Sequence, residues 1–385
     1  MNQTILATLT TLVIGAAVLC SSAIAQDTPA PKPDVDKIAP VIKKEALWDG
    51  RKMAPFKSLD NPTMVAASEA DYLDDSDYVL AIVVNGEARA YPTRFIWWHH
   101  VINDMGGKAD KGGVVPFAMT YCSVCNTGIR YNATLGGKTM KLDFYGLYNG
   151  VVALCDRDTE SVFLQAEGRY VKGPMTGQSL TMDSCLDTTW GEWRKLHPDS
   201  LVMAPKPPFE KRYSARGKPE PRGYDRFPLP FFKSSYTVGD LRIPPFDKML
   251  GVFLPAAEIG KFNPRAYPMK SIDSAGGVIN DMVDKVAVVA FLVKESQTAN
   301  AFNATLDGNA YTFKPGGKGE FTDDQTGSTW SIEGSATAGR LMGKQLKRLD
   351  NHLSHWYGWA AAFPNTTIYG NTEPAKPGNP FADPK

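Results

Sequence analysis

The sequence predicts an α+β, strand-rich fold made of two tandem degenerate repeats with a few short helices. Three observations predict it. Apolar, β-branched runs such as "YVLAIVVN", "GVVPFAMTY" and "KVAVVAFLV" are bounded by turn residues, as strands are. "GGK" at 136–138 and "DGN" at 307–309 punctuate like hairpin turns. Segments also recur in the same order at offsets of 166 to 177 residues. "EARAYPTRFI" (87–96) has an echo in "PRAYPMKSI" (264–272), the two sharing "RAYP", and "VIND" occurs at 101–104 and 278–281. "YNATLGGK" (131–138) matches "FNATLDGN" (302–309), "DRDTESVF" (156–163) resembles "DDQTGSTW" (323–330), and "WGEWRKLHPDSLVM" (190–203) corresponds to "WYGWAAAFPNTTIY" (356–369). Collinear self-similarity of this kind is the mark of a duplicated unit.

The elements follow in chain order. Residues 1–25 read as a secretory signal peptide. An apolar stretch from Ile5 to Leu19 is followed by small residues ending in Ala23-Ile24-Ala25, with cleavage expected after Ala25. The mature chain is then periplasmic or secreted, where disulfides are permitted. No later run is long and apolar enough for a spanning helix, so no membrane span is expected after cleavage. Residues 26–57 form a Pro-rich leader. Repeat one covers 58–203, a Pro/Arg-rich connector 204–247, degenerate repeat two 248–370 and a C-terminal tail 371–385. In "TTWGEWRKLHP", Thr188 or Thr189 is the expected N-cap of a short helix that Pro198 stops. Trp190, Trp193 and His197 share one face of it, matched in repeat two by Trp356, Trp359 and Phe363.

A formal net charge of +1, with 22% charged residues, gives no electrostatic reason for nucleic acid or an acidic partner. Four cysteines remain after cleavage (Cys122, Cys125, Cys155 and Cys185), too few for a disulfide framework.

The two halves serve as an internal control. Features kept in both belong to the scaffold. Asn103-Asp104 and Asn280-Asp281 are expected to be turns bonding their own backbone. His197 aligns with Phe363 and is expected to be a half-buried core histidine. Asp156-Arg157-Asp158-Thr159 suits a loop tied by its Asp and Thr side chains, with an Arg–carboxylate pair. Two stretches occur in repeat one alone: "WWHH" (97–100) and the Cys122-Ser-Val-Cys125 motif of "MTYCSVCNTGIRYN". Ungapped alignment sets Cys122 and Cys125 opposite Val293 and Ser296, so the fold does not require them.

A CxxC used for thiol–disulfide exchange usually opens a helix, whose dipole lowers the first thiol's pKa. Here Asn126-Thr127-Gly128-Ile129 opposes a helix and reads as strand, tight loop, strand, a shape shared with metal knuckles. Three readings stay open for the pair: a redox-active dithiol, metal ligation, or a structural disulfide that braces a loop in a non-catalytic structural or interaction module. In the first, Cys122 is the attacking thiol and His99 the assisting base, with a periplasmic redox partner. In the second, Cys122, Cys125 and His99 hold copper or zinc, with His100, Cys155 or Cys185 available to complete the set and Met119 a possible thioether ligand. Trp98, His100, Tyr121, Asn126 and Thr127 flank the site as supporting residues. Cys155 and Cys185 are either a structural disulfide or two buried thiols.

The motifs "ARAYP", W-H-x-x-x-N-D and T-Y-C-x-x-C, with "GPMTGQSL" and "LRIPPFDKMLGV", resemble the bacterial and archaeal family called domain of unknown function 3179 over about residues 58–370. Trp98 and His99 match that family's Asn-Trp-His-Glu segment, with His100 where Glu is common. Ser123 and Asn126 stand where it usually has Pro and Gly. Some members of the family are selenoproteins, so the resemblance implies redox chemistry at the cysteine site.

Overall fold

The computed structural model of the chain describes residues 46–52, 56–183, 185–215, 236, 239–255 and 262–381. The expected signal peptide with its cleavage site, most of the leader and the middle of the connector lie outside the described residues. The fold is strand-rich α+β. The first half contains β1 (Tyr78–Val84), β2 (Glu87–Pro92), α1 (Thr93–Ile96), β3 (Val101–Gly106), β4 (Val115–Cys122), β5 (Thr127–Asn132), β6 (Leu142–Tyr148), β7 (Val151–Asp156), β8 (Leu186–Thr189) and α2 (Trp190–Leu196). After α3 (Glu210–Ala215) the second half contains β9 (Lys248–Pro255), β10 (Phe262–Pro268), α4 (Met269–Ser274), β11 (Val278–Val283), β12 (Val286–Val293), β13 (Thr298–Asn303), β14 (Phe313–Gly317), β15 (Glu320–Asp323), β16 (Asn351–His355) and α5 (Trp356–Ala362).

The first half makes three sheets, with orders β8-β1-β2-(Leu201–Met203), β5-β4-β3 and β6-β7-(Val162–Leu164)-(Arg169–Lys172); the second half orders β16-β9-β10-(Thr367–Ile368), β13-β12-β11 and β14-β15-(Thr329–Trp330)-(Ala336–Ala338). The hairpins close where the turn residues stand. Gly136 and Gly137 have φ of 56° and 76°, and Asp307 and Gly308 have φ of 50° and 81°, the positive values that a two-residue hairpin of this type requires.

Strand alternation sorts the first half's side chains into layers. Leu80, Ile82 and Tyr91 meet Phe117, Met119 and Tyr121 in one core. The opposite face of β4 and β5, with Ala118, Cys122, Ile129 and Tyr131, packs on Phe144, Leu147, Val152 and Leu154. Val79, Ala81, Trp190 and Trp193 pack instead on Val289, Phe291 and Phe302 of the second half. Burying this much apolar surface supplies the main driving force for folding.

The repeated motifs turn out to be interlocks. Asn103 and Asp104 lie in a strand, β3, and not in a turn. Asn103 exchanges two hydrogen bonds with the backbone of Leu142 (3.1 and 2.9 Å), and Asn280 does the same with Phe313 (2.8 and 2.9 Å). Asp104 accepts from Tyr91 Oη (2.7 Å), Arg89 (2.8 Å) and the Met105 N–H (2.8 Å). Asp281 accepts from Tyr267, Arg265 and the Met282 N–H. "ARAYP" and "ND" thus serve each other, fastening one hairpin to the next. The Asp156 loop is tied as expected: Thr159 donates twice to Asp156 and Arg157 spans Asp60 and Asp143. Thr189 Oγ1 caps α2 by accepting from the Glu192 N–H at 3.3 Å, and His197 is half-buried, bonded to Glu333 (2.9 Å) and packed on Trp193.

Composition understated two segments. Leu47–Asp49, assigned to the leader, pairs with the edge of β6. The connector carries α3, because Phe209 and Tyr213, four residues apart, bring two rings onto the first half's core.

Candidate functional site

β4 ends at Cys122 and β5 begins at Thr127, the two being direct cross-strand partners. Cys122 therefore ends a strand and Cys125 sits on the four-residue loop to the next, antiparallel one, with no helix following them. Asn126 takes φ of 52°, a value Asn tolerates better than most residues. Its Oδ1 accepts from Tyr121 Oη at 2.9 Å, and Thr127 Oγ1 donates to the Cys125 carbonyl. Tyr121, Asn126 and Thr127 thus shape the loop from within.

Both thiols are buried, at 0% and 1% exposure, and all four cysteines in the described residues are free. The Cys125 N–H donates to Cys122 Sγ at 3.3 Å. Burial pushes the Cys122 thiol up, but the Cys125 S–H and the N–H groups of Cys125, Val152 and Val124 outweigh it and hold Cys122 below its usual value. Cys125 is driven well above its usual value, first by burial and then by its bond to Cys122. Cys122 is thus the more acidic of the two, and Cys125 the thiol that donates to it.

The two histidines diverge. Both backbone N–H groups bond to the Ile96 carbonyl, and His100 then takes φ of 60°. His99 faces the Tyr121 side of the sheet: Nδ1 lies 2.6 Å from the Lys57 carbonyl, Nε2 lies 2.8 Å from Tyr213 Oη, and Phe209 covers its ring. The structure does not bring it to the cysteines, because adjacent positions of β4 point to opposite faces and Cys122 faces away from Tyr121. His100 lies nearer the dithiol layer. Its Nδ1–H donates to the Tyr121 carbonyl at 2.8 Å, and its ring stacks on Phe144. Burial lowers both imidazoles to about 4, so both are neutral at pH 7. Trp98 packs under the Arg212 guanidinium, away from the pair. Met119 is in the Tyr121-side core.

The copper or zinc set of Cys122, Cys125 and His99 is therefore not assembled, and among the described residues no group of three or more His, Cys, Asp or Glu could hold a metal ion. Cys155 and Cys185 are also far from pairing: Cys155 packs among Tyr145, Val162 and Val171, while Cys185 sits in the Tyr121-side core and donates to the Gly128 carbonyl. Both are buried thiols with pKa values pushed to about 12 by burial.

What completes the site comes from the second half. β16 lies across the CxxC hairpin, and the His355 N–H donates to the Cys125 carbonyl at 2.8 Å. Gly358 of α5 packs on Cys125 so closely that a Cβ there would lie 2.9 Å from Cys125 Cβ. Tyr357, 1% exposed, donates to the Gly150 carbonyl. Its hydroxyl is held well above its usual pKa by burial and then by the charge of Cys125 and Cys122. His355 Nδ1 bonds to the Phe246 carbonyl at 2.6 Å, and Phe246, Tyr236 and Phe381 close over Tyr357. The sequence carried a signal for this. With Trp190 aligned to Trp356, His355 replaces Thr189, Tyr357 replaces Gly191 and Gly358 replaces Glu192. Each half carries chemistry-bearing residues that the other lacks, and the two sets meet.

A family model described as "Protein of unknown function (DUF3179)" matches residues 55–366. The chain belongs to the DUF3179 family. No curated protein and no solved structure matches this DUF3179 chain. The match spans every residue of the DUF3179 site named above except Tyr236-capping Phe381, and it takes in both the CxxC hairpin and the His355–Gly358 segment.

Proposed function

We propose that this chain is an exported protein whose Cys122–Cys125 pair is a redox-active dithiol, carried by two tandem degenerate repeats at 58–203 and 248–370. The single observation that supports the chemistry is the asymmetry of the pair. A thiolate is the nucleophile in disulfide exchange and in peroxide reduction. Backbone N–H groups converge on Cys122 and favour its anion, while Cys125 keeps its proton beside it. In the reaction the Cys122 thiolate attacks the oxidised sulfur or oxygen and a first thiolate or hydroxide departs. Cys125, giving up its proton, then attacks the Cys122 sulfur; the bond from Cys122 to the substrate atom breaks, and a second thiol or water departs as the disulfide closes. Tyr357 and His355 take the place that sequence reasoning gave to His99, as the polar groups packed against the pair.

The repeat reading is supported by the matching sheet orders and by the reciprocal crossing of the halves. β8 lies against β13, where Thr298 Oγ1 donates to Thr188 Oγ1 at 2.7 Å, and β16 lies against β5. No helix among the described residues is long and apolar enough to cross a membrane. Export rests on the signal-like first 25 residues.

Thiols titrated at defined redox potentials, with elemental analysis alongside, test the reading. A midpoint above about −230 mV is expected for a working pair, whereas one below about −300 mV marks a structural disulfide. Stoichiometric copper or zinc that is lost in Cys122→Ser would overturn it.

A further inference from the structure

We infer that a charged cleft between the two halves binds a free α-amino acid with a small apolar side chain. The inference stands apart from the dithiol reading and uses none of its residues. The cleft has a volume of about 370 Å³, near the lower end of the range for small-molecule sites, about 300–1,000 Å³. Ala81, Leu186 and Trp193 give it a buried, apolar lining. The rest of the wall is charged. Each half supplies one arginine and one aspartate: Arg130 and Asp183 from the first, Arg348 and Asp350 from the second.

Both guanidiniums are fixed in place. Arg130, 8% exposed, donates through Nη1 to Asp183 at 2.7 Å and lies over the Phe117 ring. Its buried Nε–H has no hydrogen-bond partner. Arg348 donates through Nη2 to the Cys185 carbonyl at 2.9 Å, a bond that crosses from the second half to the first. A buried donor calls for an acceptor, and the flat fork of a guanidinium matches a carboxylate. Asp183 and Asp350 approach from opposite halves: desolvation and then the charge of Asp183 raise the Asp350 carboxyl. A cation between the two carboxylates relieves that repulsion.

The scaffold does not call for these charges. Ungapped alignment sets Arg130 opposite Ala301. Arg348 pairs with Phe302 as Met182 pairs with Tyr131, so Arg348 stands where the first half has Met182. The mixture of signs decides the class of ligand. A plain anion would face Asp183 and Asp350, together with Glu333, which His197 already engages at 2.9 Å. A plain cation would face Arg130 and Arg348. A carboxylate and an ammonium on one carbon answer both sets, and a short apolar side chain answers the Ala81 and Leu186 surface.

The experiment follows thermal unfolding of the full chain with glycine, L-alanine, L-valine or L-leucine, and with propionate, propylamine or glucose as controls. Each is added at about 10 mM, a hundredfold excess over a dissociation constant of about 100 µM, where mass action raises the midpoint by at least about 3 °C. At least one of the four amino acids is expected to give that rise, and none of the controls. Calorimetric titration then measures affinity, which Arg130→Met and Asp350→Asn are each expected to weaken at least about tenfold by removing a charge-assisted hydrogen bond. Asp350→Asn leaves the buried Arg130 in place and decides the matter if Arg130→Met does not fold. No rise with any of the four, or an equal rise with propionate, propylamine or glucose, overturns the amino-acid site. Unchanged affinity in Asp350→Asn overturns its location in this cleft.

Discussion

Gly358→Ala tests whether the second half presses on the dithiol. Gly358 is buried in α5 with helical backbone, so the extra methyl should by itself stabilise the helix by about 0.5–1 kcal/mol. The new Cβ would meet Cys125 Cβ at 2.9 Å, Ser354 Oγ at 3.3 Å and Val151 Cγ2 at 3.3 Å. The first distance is shorter than real carbon pairs allow, and two of the three neighbours belong to the first half. Overpacking of this kind costs roughly 1–3 kcal/mol. The difference leaves a net destabilisation of about 0–2.5 kcal/mol. A shifted Cys125 also weakens its S–H bond to Cys122, so the Cys122 thiolate should form at higher pH. Urea denaturation measures the first effect, and the pH dependence of the ultraviolet thiolate absorbance, read against Cys122→Ser, measures the second. A protein stabilised by the helix-propensity amount, with an unchanged absorbance titration, would refute the shared site.

Two further outcomes follow from the packing. His99 and His100 have pKa values near 4 in the fold against 6.5 when unfolded, so their contribution is present above pH 6.5 and is lost as pH falls toward 4. Between pH 7 and pH 5 each should cost about 2 kcal/mol of unfolding free energy. Asp60 and Asp143 are held low by Arg157 against the cost of burial and act only below the ordinary carboxylate range, whereas burial raises Asp104, Glu167, Asp187 and Asp350 and lowers His352. The loss is therefore read as the difference between the chain and its His100→Phe variant, and the same pH 7-to-5 change in both would contradict the burial of that histidine. Tyr91→Phe removes one donor from Asp104, which is 6% exposed, and should destabilise by about 1–3 kcal/mol. Tyr267→Phe faces the more open Asp281 and should cost less; equal midpoints in denaturant would show that the two interlocks are not graded by burial.

Much of the scaffold was legible because it is local. The Gly136-Gly137 and Asp307-Gly308 turns, the Thr189 cap and the Asp156–Thr159 tie all depend on residues within about five positions. Asn103 and Asp104 were rightly assigned to the scaffold, but their partners Leu142, Arg89 and Tyr91 come from neighbouring hairpins, and no local pattern distinguishes such an interlock from a turn. His99 was chosen over His100 by motif, yet the left-handed turn at His100 sends the two rings into different layers.

The sequence by itself determined the strand-rich class, the two sets of matching segments and the CxxC as a loop between strands, because side-chain period and turn chemistry are written residue by residue. Only the tertiary structure decided that Cys125 meets His355 and Gly358, more than 200 residues away, and that the metal triad and the Cys155–Cys185 bridge are not formed. Those outcomes depend on which face of one sheet is covered by another, a choice made by the packing of whole layers.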